Sequence, residues 1–301
     1  MSDSPYYYRG DYGGEEGVTM RPDLDPNQMQ EMLAETAVTL TQMDHTCINY
    51  ELIEALLDTI ASPSGVFHGI DGAVLVFLPG LGEIQTLYTS LTSSARFNDE
   101  SQFRIVPLHG VLASNDQSLA FRSPPSGLRK IVLATNIAET GVTIPDVVFV
   151  IDAARVKETR YREATRLSSL VTTLVSKASA RQRAGRAGRV RSGFCFRMVT
   201  RARYGKLAAH TTPEIRRVPL ESLCLHILNS GMGQPVEILT LALDPPQAGS
   251  VTNALLALKE VGAVRVSGDS FFALTALGCH LASMPVDVYI GKMIILASIF
   301  R

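Results

Sequence analysis

The sequence predicts an α/β protein: a doubly wound parallel sheet, then a smaller α+β module and the start of a helical region. Two observations carry the first part. Ala73–Leu78 and Val147–Ile151 are continuous apolar runs, ended by Pro79-Gly80 and by Asp152, as expected of strands covered on both faces. Segments of helical texture separate the strands, which implies crossovers between parallel neighbours. The third observation is a change of texture beyond Arg201, where amphipathic helices flank the hairpin-like segment Val264–Leu274.

Taken in order, Met1 to about Asn27 is rich in Gly, Asp, Glu, Pro and Tyr without apolar periodicity, and reads as disordered. Pro26–Leu40 has helical texture. Ile48–Ile60 is a clearer helix with Leu52, Ala55, Leu56 and Ile60 on one side, stopped by Ala61-Ser-Pro-Ser-Gly65. The strand Ala73–Leu78 is followed by a helix over Leu81–Thr92, and a second strand, Phe103–Leu108, ends at His109-Gly110. Asn115–Phe121 is helical until Ser123-Pro-Pro-Ser-Gly127 breaks it, and Lys130–Ala134 and Val147–Ile151 complete the strands. Ligands of such sheets bind beyond the carboxyl ends of the strands, so His109-Gly110, Thr135-Asn136 and Asp152 are the informative loops. Arg155–Tyr161 and Leu167–Leu174 pair as a hairpin. Later come helices over Pro219–Leu228 and Val251–Val261, the hairpin turning at Gly268-Asp269, and a helix from Leu277 to Ser283. That helix-hairpin-helix order fits a winged-helix module.

The domain boundaries follow: 1–46 acidic and largely disordered or loosely helical, 47–202 the sheet-bearing lobe, 203–285 linker and winged-helix domain, 286–301 the start of a helical domain. The chain stops at Arg301 inside an apolar segment without a capping residue, which predicts a fragment of a longer protein.

At 301 residues the chain has material for two domains. No apolar run is long enough to span a bilayer, Lys292 interrupts Tyr289–Phe300, and the start lacks a basic region followed by an apolar core. Membrane partners and secretion are therefore not expected. Cys47, Cys195, Cys224 and Cys279 lie too far apart for close-spaced zinc ligands, which predicts reduced, mostly buried thiols in a cytoplasmic or nuclear protein. The net charge of −1 hides an asymmetry. Residues 1–72 hold 13 acidic against 2 basic side chains, a net of −11, whereas 154–217 hold 17 basic against 3 acidic, a net of +14. Such basic density points to a phosphate-bearing partner. The acidic start is either a solvated tail or a self-masking segment.

Its densest part is Gln182-Arg-Ala-Gly-Arg-Ala-Gly-Arg189. As an ordinary feature it would be a solvated basic run. Yet two glycines, each costing about 1 kcal/mol inside a helix, need a reason to be there. If Arg181–Val190 is helical, Gln182, Arg186 and Arg189 share a face and could meet one terminal phosphate with two guanidinium groups and an amide.

The ordered motifs from Ile48 onward resemble those of the DEAH-box/RHA family of ATP-dependent RNA helicases, beginning at that family's second RecA-like lobe. The resemblance rests on Phe77-Leu-Pro-Gly80 with Glu83-Ile84, Leu108-His-Gly110, Ala134-Thr-Asn-Ile-Ala-Glu-Thr140 with Thr143-Ile144, Val150-Ile-Asp152, and Lys177-Ala-Ser-Ala followed by Gln182–Arg189. Leu243-Asp-Pro-Pro246, and Leu274-Thr-Ala-Leu-Gly278 with Leu281-Ala282, are similar to its winged-helix region. Within the family, Lys130–Val150 and Gly193-Phe-Cys-Phe-Arg-Met198 are worded most like the member that assists scanning on structured messenger RNA at the small ribosomal subunit.

The resemblance implies ATP with Mg²⁺ as cofactor, and single-stranded or structured RNA, a first RecA-like lobe and the small ribosomal subunit as partners. It gives Arg186 and Arg189 the terminal phosphate, with Gln182 orienting phosphate or the attacking water. Phe121 would stack on adenine, with Gly141 and Thr143 also at the nucleotide, although a core role suits Phe121 equally. Gly110, Thr135 and Asn136 would hold the RNA backbone, against an ordinary reading as turn residues. Glu139 would couple ATP state to RNA grip, and the Arg155–Leu174 hairpin would project toward the RNA exit path. Two departures stand out: Gly141 where the family has Ser, and Ala153-Ala154 where it has a small residue then Gly. The chain also has no Gly-x-x-x-x-Gly-Lys-Thr loop and no Asp-Glu-Ala-His segment, so metal ligands are expected in the first lobe and the isolated chain is expected to be inactive. The alternatives are a non-enzymatic RNA- or ribosome-binding module with a degenerate motor fold, and a DNA-directed member of the same superfamily.

Overall fold

The computed structural model describes residues 34–111, 114–162, 167–187, 189, 192–267 and 271–300. The expected disorder of Met1–Asn27 and the hairpin turn at Gly268-Asp269 lie outside them, as do Gly188 and Val190 of the arginine segment. The chain divides into two compact units, Met1–Glu158 with Thr172–Thr211, and Thr159–Val171 with Thr212–Arg301.

The first unit is built on five parallel strands in the order β2-β3-β1-β4-β7, where β1 is Ala73–Phe77, β2 Phe103–Leu108, β3 Arg129–Ala134, β4 Val147–Asp152 and β7 Phe194–Arg197. Its continuous apolar runs have the predicted cause. Val74, Val76, Ile131 and Leu133 point into one core, while Ala73, Leu75, Phe77, Val132 and Ala134 point into another on the opposite face. Helices α2 (Tyr50–Ala61) and α3 (Leu81–Ser93) cover the first face through Ile53, Leu57, Ile60, Ile84, Leu87 and Leu91. Ala120 of α4 (Ser114–Phe121) and Ala138 of α5 (Ile137–Thr140) contribute to the second. A helix α1 (Ala34–Gln42) precedes them.

Three expectations need correction. The buried stripe of α2 is Ile53, Leu57 and Ile60, with Leu52 and Leu56 half-buried and Ala55 exposed. Leu52 and Leu56 flank that stripe and pack, partly buried, against the same core. Strand β7 was not foreseen; it is four residues long and ends on an arginine. It enters through Gly193, where a Cβ would lie 2.2 Å from the Ala187 carbonyl oxygen and 2.4 Å from that of Val148, so only glycine fits. Finally, the helix through the arginine segment, α6, runs only over Lys177–Ala184, with the Ser176 hydroxyl accepting from the Ser179 N–H at its start. Beyond it Arg186 and Ala187 donate to the Arg183 and Ala184 carbonyls at 3.1 Å, a tight turn in place of a continuing helix. Two glycines at close spacing disfavour that continuation.

Strands β5 (Arg155–Arg162) and β6 (Leu167–Leu174) pair in a two-stranded sheet, as expected, and the residues that would turn the hairpin, 163–166, lie outside the described residues. After α7 (Arg201–Lys206), the second unit holds a 3₁₀ turn (Glu214–Arg216) and helices α8 (Glu221–Asn229), α9 (Pro235–Thr240) and α10 (Ala248–Val261). The antiparallel pair β8 (Val264–Ser267) and β9 (Phe271–Leu274), α11 (Ala276–Ala282) and α12 (Val288–Ile299) complete it. The helix-hairpin-helix order is the predicted one; α9, a single short turn opened by Pro235, was not predicted. Leu220, Cys224, Leu225, Val251, Leu255 and Leu258 centre its core. A Cβ at Gly278 would lie 2.0 Å from the Ala263 carbonyl oxygen, so α11 reaches the hairpin only through that glycine. Among the described residues no helix is long and apolar enough to cross a membrane.

Candidate functional site

All five strands of the sheet are parallel, so their carboxyl ends share one edge, and the predicted site residues follow those ends. Thr135, the first residue after β3, is buried, and Asn136 is exposed at the start of α5 without a side-chain cap bond. Gly110 is exposed after β2, where a Cβ would meet nothing within 4 Å among the described residues and the backbone is not left-handed.

The arginine segment closes on the same loop. Arg186 is largely buried; its guanidinium donates to the Val142 carbonyl at 3.0 Å and to the Glu139 carbonyl. Arg189 is exposed and donates to the Thr143 hydroxyl. Burial holds the Arg186 guanidinium below its ordinary pKa, the charge of Arg189 adds to this, and Glu139 opposes it. Gln182 is exposed on α6. The expected helical face of Gln182, Arg186 and Arg189 does not form, because the helix ends at Ala184; the turn beyond it brings Arg186 to Glu139 and Arg189 to Thr143 instead, with Gln182 left on α6. Gly141 ends α5, and a Cβ there would lie 3.2 Å from the Ile137 carbonyl oxygen, a tight fit for the serine of the family pattern. Phe121 is half-buried against the core that includes Ala120 and Leu108, so at least one side of its ring serves packing.

Charge reasoning missed Arg183, whose side chain is fully buried. Its Nη1 donates to Asp152 Oδ1 at 2.7 Å and to the Arg155 carbonyl at 3.2 Å, and its Nε donates to Glu139 Oε2 at 3.0 Å. The guanidinium also lies over the Phe77 ring, 4.9 Å from its centroid. Burial opposes the charge, but Asp152 and Glu139 overcome it and raise the pKa above its ordinary value. Ala180 and Arg183 stand three apart on α6 and are both buried, which puts the arginine on the inner face, a placement that no sequence signal marks.

The turn after Asp152 carries the Ala153-Ala154 departure. Ala154 adopts a left-handed backbone, φ 56°, which the glycine of the family pattern would adopt without strain. Alanine holds it through its N–H, which donates to Asp152 Oδ1 at 2.8 Å, and its carbonyl, which accepts from Val175 at 3.0 Å. Of the cysteines, Cys224 is buried and Cys195 half-buried, and burial first of all pushes each thiol up to about 12. Contrary to expectation, Cys47 and Cys279 are exposed. Cys47 lies on a surface turn where its thiol donates to Asp44 Oδ2 at 3.0 Å.

Residues 51–191 match the family described as helicase conserved C-terminal domain. The chain is 52% identical over 271 residues to "ATP-dependent RNA helicase dhx29" of Xenopus laevis, a match covering 90% of this chain and 20% of that protein. It is 48% identical over 254 residues to "DExH-box ATP-dependent RNA helicase DExH4, chloroplastic" of Arabidopsis thaliana, covering 84% and 17%. Among solved structures, that of the E. coli DExH-box NTPase HrpB superposes with a TM-score of 0.67 at 32% identity, over 84% of this chain and 29% of that one. The chain spans about a fifth of the length of the curated relatives it matches. By its parallel sheet, its ordered motifs and these likenesses, the chain belongs to the DEAH-box/RHA family of RNA helicases and carries that family's second RecA-like lobe.

Proposed function

We propose that this chain supplies the second lobe of an ATP-dependent RNA helicase, which hydrolyses ATP between two lobes while RNA crosses both. One observation carries the reading. Arg186 and Arg189 are both tied to residues 139–143, the continuation of the loop that opens with Thr135 and Asn136. The proposed phosphate donors are thereby bonded to the same short segment that carries Thr135 and Asn136.

The donor set fits a nucleotide phosphate. Arg189 offers an exposed guanidinium, Arg186 a partly desolvated one, and Gln182 an exposed amide. ATP with its Mg²⁺ supplies the phosphoryl group and the charge that these residues would neutralise. The family resemblance assigns the ion's protein ligands to the first RecA-like lobe. Arginines placed against a terminal phosphate contribute about 10³–10⁵ in rate. Gln182 orients phosphate or the attacking water, Phe121 stacks on adenine, and Gly141 and Thr143 line the nucleotide side of the loop. Gly110, Thr135 and Asn136 hold the RNA backbone, which makes binding independent of base sequence. Glu139, between the two groups, couples them. The wording of Lys130–Val150 and Gly193–Met198 supports structured messenger RNA at the small ribosomal subunit as the setting, in the cytoplasm.

The test uses full-length protein. Arg186→Ala and Arg189→Ala should each lower RNA-stimulated ATP turnover by about a thousandfold or more. Near-normal turnover in both variants overturns the assignment.

A further inference from the structure

Arg183 has no part in the reactions just described, yet it is the most buried arginine of its segment. Phe77 and Asp152 are the last residues of neighbouring strands β1 and β4 and are register partners, so the guanidinium lies across two strand ends at once. Its Nε holds the Glu139 carboxylate, while Arg186 holds the carbonyl of the same residue. Glu139 is therefore gripped twice, from side chain and backbone, by two arginines three residues apart. The loop that begins at Thr135 cannot move relative to β4 without breaking a buried charged hydrogen bond. One atom of this arrangement is unsatisfied: Asp152 Oδ2 is buried and has no hydrogen-bond partner among the described residues. Buried carboxylate oxygens are ordinarily paired, and an orphan beside a guanidinium leaves room for a second, rearranged pairing.

We infer that Arg183 is a positioning residue: it latches the Glu139 loop to the end of β4, so that RNA held at Thr135 and Asn136 is felt at Arg186 and Arg189. The inference rests on the helicase reading. It concerns the transmission between two ligand sites, not contact with either. Lysine at 183 keeps the charge but, as a point donor, cannot hold Asp152 and Glu139 in one plane. Asparagine at 152 keeps an acceptor for the Ala154 N–H and removes the charge that fixes Arg183.

The experiment measures ATP turnover of the full-length protein with and without a saturating uridine oligonucleotide, for wild type, Arg183→Lys and Asp152→Asn. The KM for ATP and the oligonucleotide Kd are measured in parallel. The latch predicts basal turnover and KM within about threefold of wild type in at least one variant, with the ratio of stimulated to basal turnover reduced about fivefold or more, a usual size for coupling between sites. The double variant should lose no more than the more affected single one, because both act on one contact. An unchanged ratio in both variants overturns the latch and leaves the helicase reading standing. So does a parallel fall of basal and stimulated turnover that tracks loss of folded protein in both. Wild-type protein with no RNA stimulation overturns the helicase reading itself, and the latch with it.

Discussion

Lys130 and Arg183 are both fully buried cations, and each persists because its donors are matched by acceptors. The Lys130 ammonium donates to the Ala120 carbonyl at 2.7 Å and the Arg122 carbonyl at 2.9 Å, and pairs with Asp146 Oδ1 at 2.8 Å. It thus ties the end of α4 to the loop before β4. Removing one partner of a buried charged contact costs about 3–5 kcal/mol, since the other is left uncompensated. Lys130→Met should lower stability to chemical denaturant by that amount, and adding Asp146→Asn should restore part of it. Equal stability of Lys130→Met and wild type would show that the ammonium contributes no net stability. Neither cation was legible as a core residue, because a charge in sequence reads as surface. Glu139 and Asp152, the partners of Arg183, lie 44 and 31 residues away, and nothing local announces the pairing. Arg186 and Arg189 were legible, because their glycine-alanine spacing signals close approach whether the backbone is a helix or a turn.

At the scale of elements, the sheet was the easiest part to read. A strand covered on both faces is apolar at every position, and β1 and β4 are continuously apolar up to Asp152. Short elements with mixed composition, β7 and α9, gave no such signal. In α2, periodicity identified a helix but could not choose between adjacent stripes. The segment joining α1 to α2 shows how side chains fix a connection that carries little apolar periodicity. His45 is buried with Nε2 2.9 Å from the Leu40 carbonyl oxygen, and Arg155 donates to the carbonyls of His45 and Cys47 at 2.9 and 3.4 Å. Burial, with the charge of Arg203, holds the imidazole below its ordinary 6.5, against the opposing bond to Leu40 and the charge of Asp44. A depressed folded-state value means that the unfolded segment takes up the proton first. Stability from His45 is therefore present above pH 6.5 and is lost as pH falls below it. Asp44, held near 2 by hydrogen bonds from Cys47 and Thr46, stays ionised through that window. Amide exchange over residues 40–48 should accelerate between about pH 7.5 and 5.5 beyond the intrinsic pH effect, a window centred on the ordinary histidine value. His45→Gln should remove the excess; its survival in that variant would place the titration elsewhere.

Across the whole molecule, the charge asymmetry was fully visible in sequence, but only the structure distributes it. Of the 17 basic residues in 154–217, Arg183 is committed to internal acceptors, whereas Arg160 and Arg162 are exposed on β5. If the proposed RNA passes this hairpin, those two arginines meet phosphate rather than bases, because binding by a translocating motor must tolerate every sequence. Each phosphate neutralised on a single strand adds about −0.7 to the slope of log affinity against log salt. Replacing Arg160 and Arg162 together by alanine in the full-length protein should therefore flatten that slope by roughly 1.4, and weaken uridine and adenosine oligonucleotides by the same factor. Fluorescence anisotropy titrations at several salt concentrations measure both quantities. A slope unchanged by the double substitution would take the RNA path away from the hairpin. A loss confined to one base composition would mean that these arginines read bases, contrary to the backbone grip assigned to Gly110, Thr135 and Asn136.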